Sequence, residues 1–296
     1  MKIDAHHHFW KRDEGFYDWL TPDLGAIYRD FAPEDLESSL FESGVISTVL
    51  IQAAASIEET KLLLSLAEKT AFVKAVIGWV DLESDDFVRD LRLLMQHSLF
   101  KGIRPMVQDL EDPNWLTKPA LEPAFEFLSS TGLVFEALVR PPQWAALLEF
   151  AGRYTDLPII VDHGAKPAIR NGLNGAGGFS EWAGVIDRLA ANEHVVCKLS
   201  GLLTEAVPGA ALEDIRPYMD HLYDRFGPDR LMWGSDWPVL LMEADYLSWM
   251  HMAETWLQGK SANDAVKIFS ANAARLYSIS DACTKTASQV LEAKTW

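Results

Sequence analysis

Apolar, β-branched runs alternate with amphipathic segments along almost the whole chain. Near-continuous apolar runs of this length are typical of strands buried on both faces of a parallel sheet. We predict eight such strands, at residues 2–9, 47–53, 74–82, 100–107, 134–140, 158–164, 195–201 and 231–236.

The segments between these strands carry helix signals. Pro33 opens one helical pattern and Gly44 closes it, which is the usual placement of these two residue types. Ser56 followed by Glu59 is a capping-box signature for the next helix. Similar helical patterns lie at residues 141–153 and 212–226.

Eight strand candidates, each followed by a helix candidate, predict a (β/α)₈ TIM barrel. A doubly wound sheet is the competing fold, but no glycine-rich phosphate loop follows the first strand. We expect one domain over residues 1–280 and a C-terminal tail over 281–296. Longer insertions follow the first, fourth and sixth strands, at the end where barrel enzymes place their active sites.

The composition limits the possible partners of the protein. Its 296 residues carry a formal net charge of -17, which disfavours nucleic acid and anionic membranes. No run of 18 apolar residues and no signal-peptide pattern is present, and the two cysteines do not form a disulfide framework. We therefore expect a cytoplasmic protein that binds a small molecule.

The first strand carries the most unusual feature, three consecutive histidines. Strand alternation places Asp4, His6 and His8 on one face and Ala5 and His7 on the other. At the carboxyl end of a barrel strand, His6 and His8 would point to the mouth, where they can hold a divalent metal or polarise a substrate. The alternative is that all three are hydrogen-bonded structural histidines.

Strands six and eight end in further polar residues. Because Asp162 and His163 are adjacent, alternation turns them to opposite faces, and we take His163 as the inward residue and Asp162 as structural. Asp236 ends strand eight, where a barrel enzyme holds a general base. A turn-forming role is the alternative for Asp236, since a Trp-Pro pair follows it.

Several side chains near strand ends are candidates for binding substrate. Arg104 and Gln52 can donate hydrogen bonds to a polyol, and Lys166 follows His163 closely enough to reach the same mouth. Lys198 falls within strand seven, where an unpaired cation is costly, so we expect it to be ion-paired.

The chain also contains 11 tryptophans, most of which we assign to the core. An indole packs against the C–H face of a sugar ring while its N–H donates to a hydroxyl. We single out Trp19 and Trp79 as candidates for this role, because both fall at or after strand ends.

Four motifs resemble one family of enzymes. They are DAHHHFW at residues 4–10, VDHGAKP at 161–167, CKLSG at 197–201 and FGPDRLMWGSDWPV at 226–239. Together with the closing NAARLY, they are similar to the amidohydrolase superfamily in its sugar-lactonase branch, over essentially the whole chain. The resemblance implies a (β/α)₈ barrel that hydrolyses a sugar-acid lactone, of the L-fuconate or L-galactonate type.

The same resemblance implies a set of functional residues. The metal motif of the superfamily corresponds to His6, His8, His163 and Asp236, with Asp236 activating water and the histidines assisting. A two-metal site would need a bridging residue on strand four and a second late histidine, so at most one divalent ion, such as zinc, is implied. Members of this branch work without a required metal.

Two other functions remain open at this point. An amidohydrolase-type decarboxylase of an aromatic acid shares the barrel and the His-x-His pair of strand one. A non-catalytic sugar-binding barrel is the second alternative, although the polar residues at the strand ends argue against it.

Overall fold

A computed structural model describes residues 1–280; the predicted tail, residues 281–296, lies outside the described residues. All eight predicted strands are present, and they form one parallel sheet in chain order. Each strand stops before its predicted end, because the next residues already turn into the loops of the mouth. The strands are β1 (Lys2–His7), β2 (Val45–Ile51), β3 (Val73–Gly78), β4 (Phe100–Ile103), β5 (Val134–Ala137), β6 (Ile159–Val161), β7 (Val195–Leu199) and β8 (Leu231–Trp233).

Helices surround this sheet, as a (β/α)₈ barrel requires. They are α1 (Pro33–Ser43), α2 (Ile57–Lys69), α3 (Phe87–Leu94), α4 (Glu122–Ser129), α5 (Trp144–Arg153), α6 (Phe179–Ala190), α7 (Leu202–Glu205), α8 (Leu212–Phe226), α9 (Tyr246–Leu257), α10 (Ala262–Val266) and α11 (Asn272–Leu276). As predicted, α1 begins at Pro33, and Gly44 ends it in the left-handed conformation. Within residues 1–280, no helix is long and apolar enough to cross a membrane.

The barrel closes between β1 and the segment that follows β8. The amide of His8 donates to the carbonyl of Trp237 at 2.7 Å, and the amide of Asp236 donates to the carbonyl of His6 at 2.8 Å. The bonds that close the ring of strands are therefore made by the candidate site residues themselves. This arrangement fixes the backbone of strand one relative to the carboxylate of Asp236.

An irregularity in β1 decides which histidines face the barrel interior. Ile3 and Ala5 pack in the apolar cluster inside the barrel. The pairing of β1 with β2 then shifts between Asp4 and His7, which resets the alternation, so that His6 as well as Ala5 points inward. The predicted grouping of Asp4 with His6 and His8 is wrong, because the Asp4 carboxylate accepts from the Tyr246 hydroxyl of α9 in the outer layer, at 3.1 Å.

The start of α2 differs from the predicted capping box in an informative way. Ser56 Oγ accepts from the Glu59 amide at 3.2 Å, as expected. The Glu59 carboxylate does not return to Ser56 but accepts from the amides of Ala53 at 2.8 Å and Ala54 at 3.2 Å. The carbonyl of Ala53 in turn accepts from the Trp19 indole at 2.8 Å, so this buried carboxylate braces the loop that holds Trp19.

We predict that Glu59 makes the stability of the protein depend on pH. Burial raises the pKa of Glu59 from 4.5 to about 7, although the two amides oppose the shift. The folded protein therefore binds more protons than the unfolded chain between these values, and the free energy of unfolding falls as pH rises through that window, by up to roughly 3 kcal/mol. Glu59→Gln, which keeps an acceptor oxygen for one of the two amides, should reduce the pH dependence by this contribution.

Urea unfolding at pH 5 and at pH 8 measures the effect. The matched control is Glu58→Gln, at the exposed neighbouring position on the same turn. The pH dependence of the control should equal that of the wild-type protein. Equal dependence in all three proteins would show that Glu59 is not the responsible group.

Candidate active site

A cavity of about 460 Å³ opens at the carboxyl ends of the strands, a size suited to a small organic ligand. Six of the residues singled out from the sequence line it: His8, Trp19, Arg104, His163, Lys166 and Asp236. His6 is completely buried and in contact with this group. The predicted active-site end of the barrel is thus the end that contains the cavity.

The carboxylate of Asp236 lies among three imidazoles. Its Oδ1 is 3.4 Å from His8 Nε2, 3.5 Å from His6 Nε2 and 3.9 Å from His163 Nε2. Burial alone would raise the pKa of Asp236, but His163, His8 and His6 hold it below its ordinary value. Asp236 is therefore a carboxylate at neutral pH, able to accept a proton.

Burial has the opposite consequence for the imidazoles. It lowers the pKa of His163 to about 4 and holds the pKa of His6 well below its ordinary value. The pKa of His8 is lowered by the same cause. At neutral pH the cluster consists of one carboxylate and three neutral imidazoles, which is a set of electron-pair donors.

Left-handed backbone conformations position two of these side chains, those of His163 and Asp236. Asp236 has a φ of 60°, and the four residues from His163 to Lys166 have φ values of 54°, 59°, 62° and 48°. Left-handed residues other than glycine cost roughly 1–2 kcal/mol each. In the turn from His163 to Lys166, the Trp182 indole donates to the carbonyl of Gly164 at 2.6 Å, and the Trp144 indole donates to the carbonyl of Ala165 at 2.8 Å.

Hydrogen bonds from neighbouring strands fix the orientation of the site. Ser200 Oγ, after β7, lies 2.8 Å from His163 Nδ1. The Asp4 carboxylate accepts from the amide of Ser235 at 2.8 Å, directly before Asp236. Each strained turn therefore has a partner on an adjacent strand.

Alternation predicted that Asp162 faces away from the site, but in the structure Asp162 lies beside it. β6 ends at Val161, and the left-handed turn that follows lets Asp162 and His163 converge instead of diverging. Asp162 Oδ1 lies 3.6 Å from His6 Nδ1, and its Oδ2 lies 3.5 Å from Arg104. Burial would raise the pKa of Asp162, but Lys198 and His6 hold it well below its ordinary value.

Two residues proposed to bind substrate lie outside the lining of the cavity. Gln52 is completely buried and donates to the carbonyl of Arg104 at 2.5 Å, while Arg104 donates to the carbonyl of Gln52. Trp79 is half-buried, with its backbone amide bonded to Thr60 Oγ1 at 2.8 Å. In this structure Gln52 holds Arg104 in place, and Arg104 is the residue that reaches the cavity.

The cavity also contains residues that sequence reasoning missed. Arg140 and Glu205 both line it, and Glu205 lies 3.8 Å from the ammonium of Lys166. Trp10 lies beside Trp19, with the two rings edge to face at 5.3 Å. The position of Arg140 at the end of the fifth predicted strand was the one signal that could have revealed it.

The side chains of His6, His8, His163 and Asp236 are spaced like the ligands of one divalent metal ion. His6 Nε2 and His8 Nε2 are 3.2 Å apart, and each lies 3.4–3.5 Å from Asp236 Oδ1. Tetrahedral ligands at 2.0–2.1 Å from zinc are about 3.3 Å from one another. His6, His163 and Asp236 in particular bring all their ligand atoms within 4.8 Å of one another, so a candidate metal site exists.

Comparison with known proteins identifies a family. The model of the Amidohydrolase family matches residues 3–279. The chain is 44% identical to the L-fucono-1,5-lactonase of Burkholderia ambifaria, over 94% of this chain and 96% of that protein. It is 32% identical to the L-fucono-1,5-lactonase of Burkholderia multivorans, with the same two coverages.

A solved structure gives the same result for the fold. The crystal structure of an amidohydrolase from Burkholderia multivorans with bound zinc superposes with a TM-score of 0.89 at 31% identity. The superposition covers 95% of this chain and 100% of that one.

We predict that the space at Gly201 is needed to position His163. A Cβ at this residue would lie 2.5 Å from His163 Nδ1, and φ is 62°. Gly201→Ala should displace the imidazole and weaken Zn²⁺ binding by about 10- to 100-fold, as loss of a supporting contact to a ligand does. Isothermal titration with Zn²⁺ measures the change.

Gly209→Ala is the matched control for this variant. Its φ is 76°, so the backbone strain is similar, but nothing lies within 4 Å of the new Cβ. It should lose only the stability that the strained backbone costs, without the clash, and keep the wild-type affinity for Zn²⁺. Equal affinities in the two variants would contradict the role given to Gly201.

Proposed function

This chain belongs to the amidohydrolase family, and from that premise we propose that it hydrolyses a sugar-acid lactone of the L-fucono-1,5-lactone type. The enzyme is a hydrolase that acts on a cyclic ester. The observation that carries the proposal is the buried Asp236 carboxylate among three neutral imidazoles at the base of the cavity. The substrate is that named for relatives 44% and 32% identical to this chain.

Asp236 is the general base in this proposal. It accepts a proton from water while the water oxygen forms a bond to the lactone carbonyl carbon. The bond from that carbon to the ring oxygen then breaks, and Asp236 returns the proton to the ring oxygen. The new carboxylic acid ionises at neutral pH, so each turnover releases one proton to the solvent.

Donors around the carboxylate support the charge that develops on the carbonyl oxygen. His163 lines the cavity beside Asp236, and Arg104 and Lys166 add two positive charges to its lining. A neutral lactone gains little from such cations before it reacts. They favour the anionic tetrahedral intermediate, as catalysis requires, and they also attract the carboxylate product.

Two aromatic residues of the cavity lining suit a sugar ring. Trp10 and Trp19 present indole surfaces, and the Trp19 N–H is already bonded to Ala53, so its ring rather than its donor is free. Apolar C–H patches of a sugar pack against such faces. Glu205 and Arg140 are suited to the hydroxyls, because they combine an acceptor and a donor.

The proposal includes at most one divalent ion, such as zinc, and does not require it for hydrolysis. His6, His8, His163 and Asp236 would hold it, and it would supply Lewis-acid polarisation of the carbonyl or of the attacking water. The residues named above retain their roles of accepting the proton and binding the product.

We predict that Asp236→Asn abolishes most of the hydrolysis and leaves the fold intact. Asparagine tolerates the φ of 60° at this position, so the turn is kept while the base is lost. The expected loss in kcat is at least about 10²–10³-fold. Asp229→Asn is the control, because Asp229 is an exposed partner of Lys267, and its kcat should be unchanged. Wild-type kcat in Asp236→Asn would exclude the role of base.

We predict release of one proton per lactone consumed, which a pH indicator records. The panel consists of 1,4- and 1,5-aldonolactones, with and without a chelator and with spontaneous hydrolysis subtracted. The highest kcat/KM is expected for a 1,5-lactone of L-fuconate or L-galactonate configuration. Absence of acid release from every lactone would favour the non-catalytic barrel, and CO₂ release from an aromatic acid would favour the decarboxylase.

A further inference from the structure

The charged side chains of the cavity are unevenly distributed around its mouth. Apart from Asp236, the charged residues in the described lining follow strands β4 to β7: Arg104, Asp109, Arg140, Lys166, Arg170 and Glu205. The loops after β8 and β1 supply large apolar side chains: Trp10, Trp19, Leu24, Ile27, Val239 and Met242. In a closed ring of eight strands in chain order, β1 lies across from β5 and β8 across from β4. The cavity therefore has a charged side and an uncharged side that largely face each other.

Two segments that are distant in the chain build part of the uncharged side. The short helix Pro22–Ile27, in the insertion after β1, packs against the short helix Val239–Met242 after β8. Together they present Leu24, Ile27, Val239 and Met242 to the cavity. We call these four side chains the apolar wall.

The apolar wall begins directly beside the proposed base. Val239 is three residues after Asp236, and the amide of Leu240 donates to the carbonyl of Asp236 at 2.9 Å. A substrate atom that reaches the Asp236 carboxylate therefore has the apolar wall as a neighbour. The cations of β5 and β6 lie across the mouth from it.

The structure of a 1,5-lactone corresponds to this division, if the site works as proposed above. The ring oxygen joins C1 to C5, so a substituent on C5 is only two bonds away from that oxygen. The hydroxyls on C2, C3 and C4 lie on the rest of the ring. Because Asp236 returns its proton to the ring oxygen, the C5 substituent must lie near Asp236, and the hydroxyls extend towards the charged side.

We propose that the apolar wall is the subsite for the C5 substituent and that it selects a methyl group, so that the preferred substrate is the lactone of a 6-deoxy sugar acid. This inference rests on the proposed function. A methyl group gains free energy when it leaves water for such a surface. A hydroxymethyl group would lose hydrogen bonds to water there, because aliphatic and thioether side chains have no N–H or O–H to replace them.

Two lactones of the same configuration test the selection in the wild-type enzyme. L-Fucono-1,5-lactone and L-galactono-1,5-lactone differ only at C6, which is a methyl group in the first and a hydroxymethyl group in the second. We expect kcat/KM to be about 10- to 100-fold higher for the methyl compound, as an apolar pocket discriminates against an added hydroxyl. Equal values, or a preference for the hydroxymethyl compound, overturn the proposal.

The double variant Leu24→Gln with Met242→Gln tests the residues. It makes the apolar wall polar with little change in side-chain length, so the preference for the methyl compound should fall by about 10-fold. The pentonolactone of the same configuration has no C6, and its kcat/KM should stay close to the wild-type value. An equal loss for all three lactones would show that Leu24 and Met242 only support the insertion, and this result also overturns the proposal.

Met95→Gln is the matched control. Met95 is 36% exposed and Met242 is 38% exposed, but Met95 lies at the end of α3 and does not line the cavity. Its preference for the methyl compound should equal that of the wild-type enzyme.

The measurements separate this proposal from the function on which it rests. Acid release from both lactones without discrimination overturns only the role of the apolar wall. Absence of acid release from every lactone overturns lactone hydrolysis and the subsite together. If the double variant does not fold, Met242→Gln alone, at a partly exposed position, and the preference of the wild-type enzyme still decide the proposal.

Discussion

Three charged side chains and an imidazole are packed together inside the barrel, shielded from the solvent that would otherwise hydrate them. Lys198 lies between the carboxylates of Glu136 and Asp162, and it also contacts His6. Buried charges are tolerated only when partners replace their hydration. Removing one partner of a buried ion pair destabilises the fold far more than replacing both partners with apolar residues does. This requirement fixes the relative positions of strands β1, β5, β6 and β7, and with them the base of the cavity.

Above this layer, the geometry of the mouth depends on strained backbone. The left-handed turn from His163 to Lys166 and the left-handed Asp236 bring side chains together that regular strands would separate. The energy of these conformations is offset by specific partners, such as the indoles of Trp144 and Trp182 on the surrounding helices. The helical layer thus contributes to the site as well as to the hydrophobic core.

The sequence was most informative where local chemistry is enough. Periodicity located all eight strands, and the proline and glycine at the two ends of α1 marked its bounds. The pairing of Lys198 also followed from a general rule, because a cation in a buried strand needs a partner. Alternation failed at Asp4 and at Asp162, since a shift of register in β1 and a left-handed turn after β6 interrupt the period of two.

By itself, then, the sequence determined the barrel, its active-site end and the residue types that meet there. Hydrophobic period is a property of short segments, and the regular alternation of strand and helix along the chain predicts the barrel. Only the tertiary structure decided which atoms meet. Glu136 and Ser200 join the hydrogen-bond network, and Arg140 joins the cavity lining, from strands that are distant in the chain. Lys198 Nζ contacts His6 Nδ1 although the two residues are 192 positions apart. Hydrogen bonds and charges act over a few ångströms of space, and separation along the chain does not encode that distance.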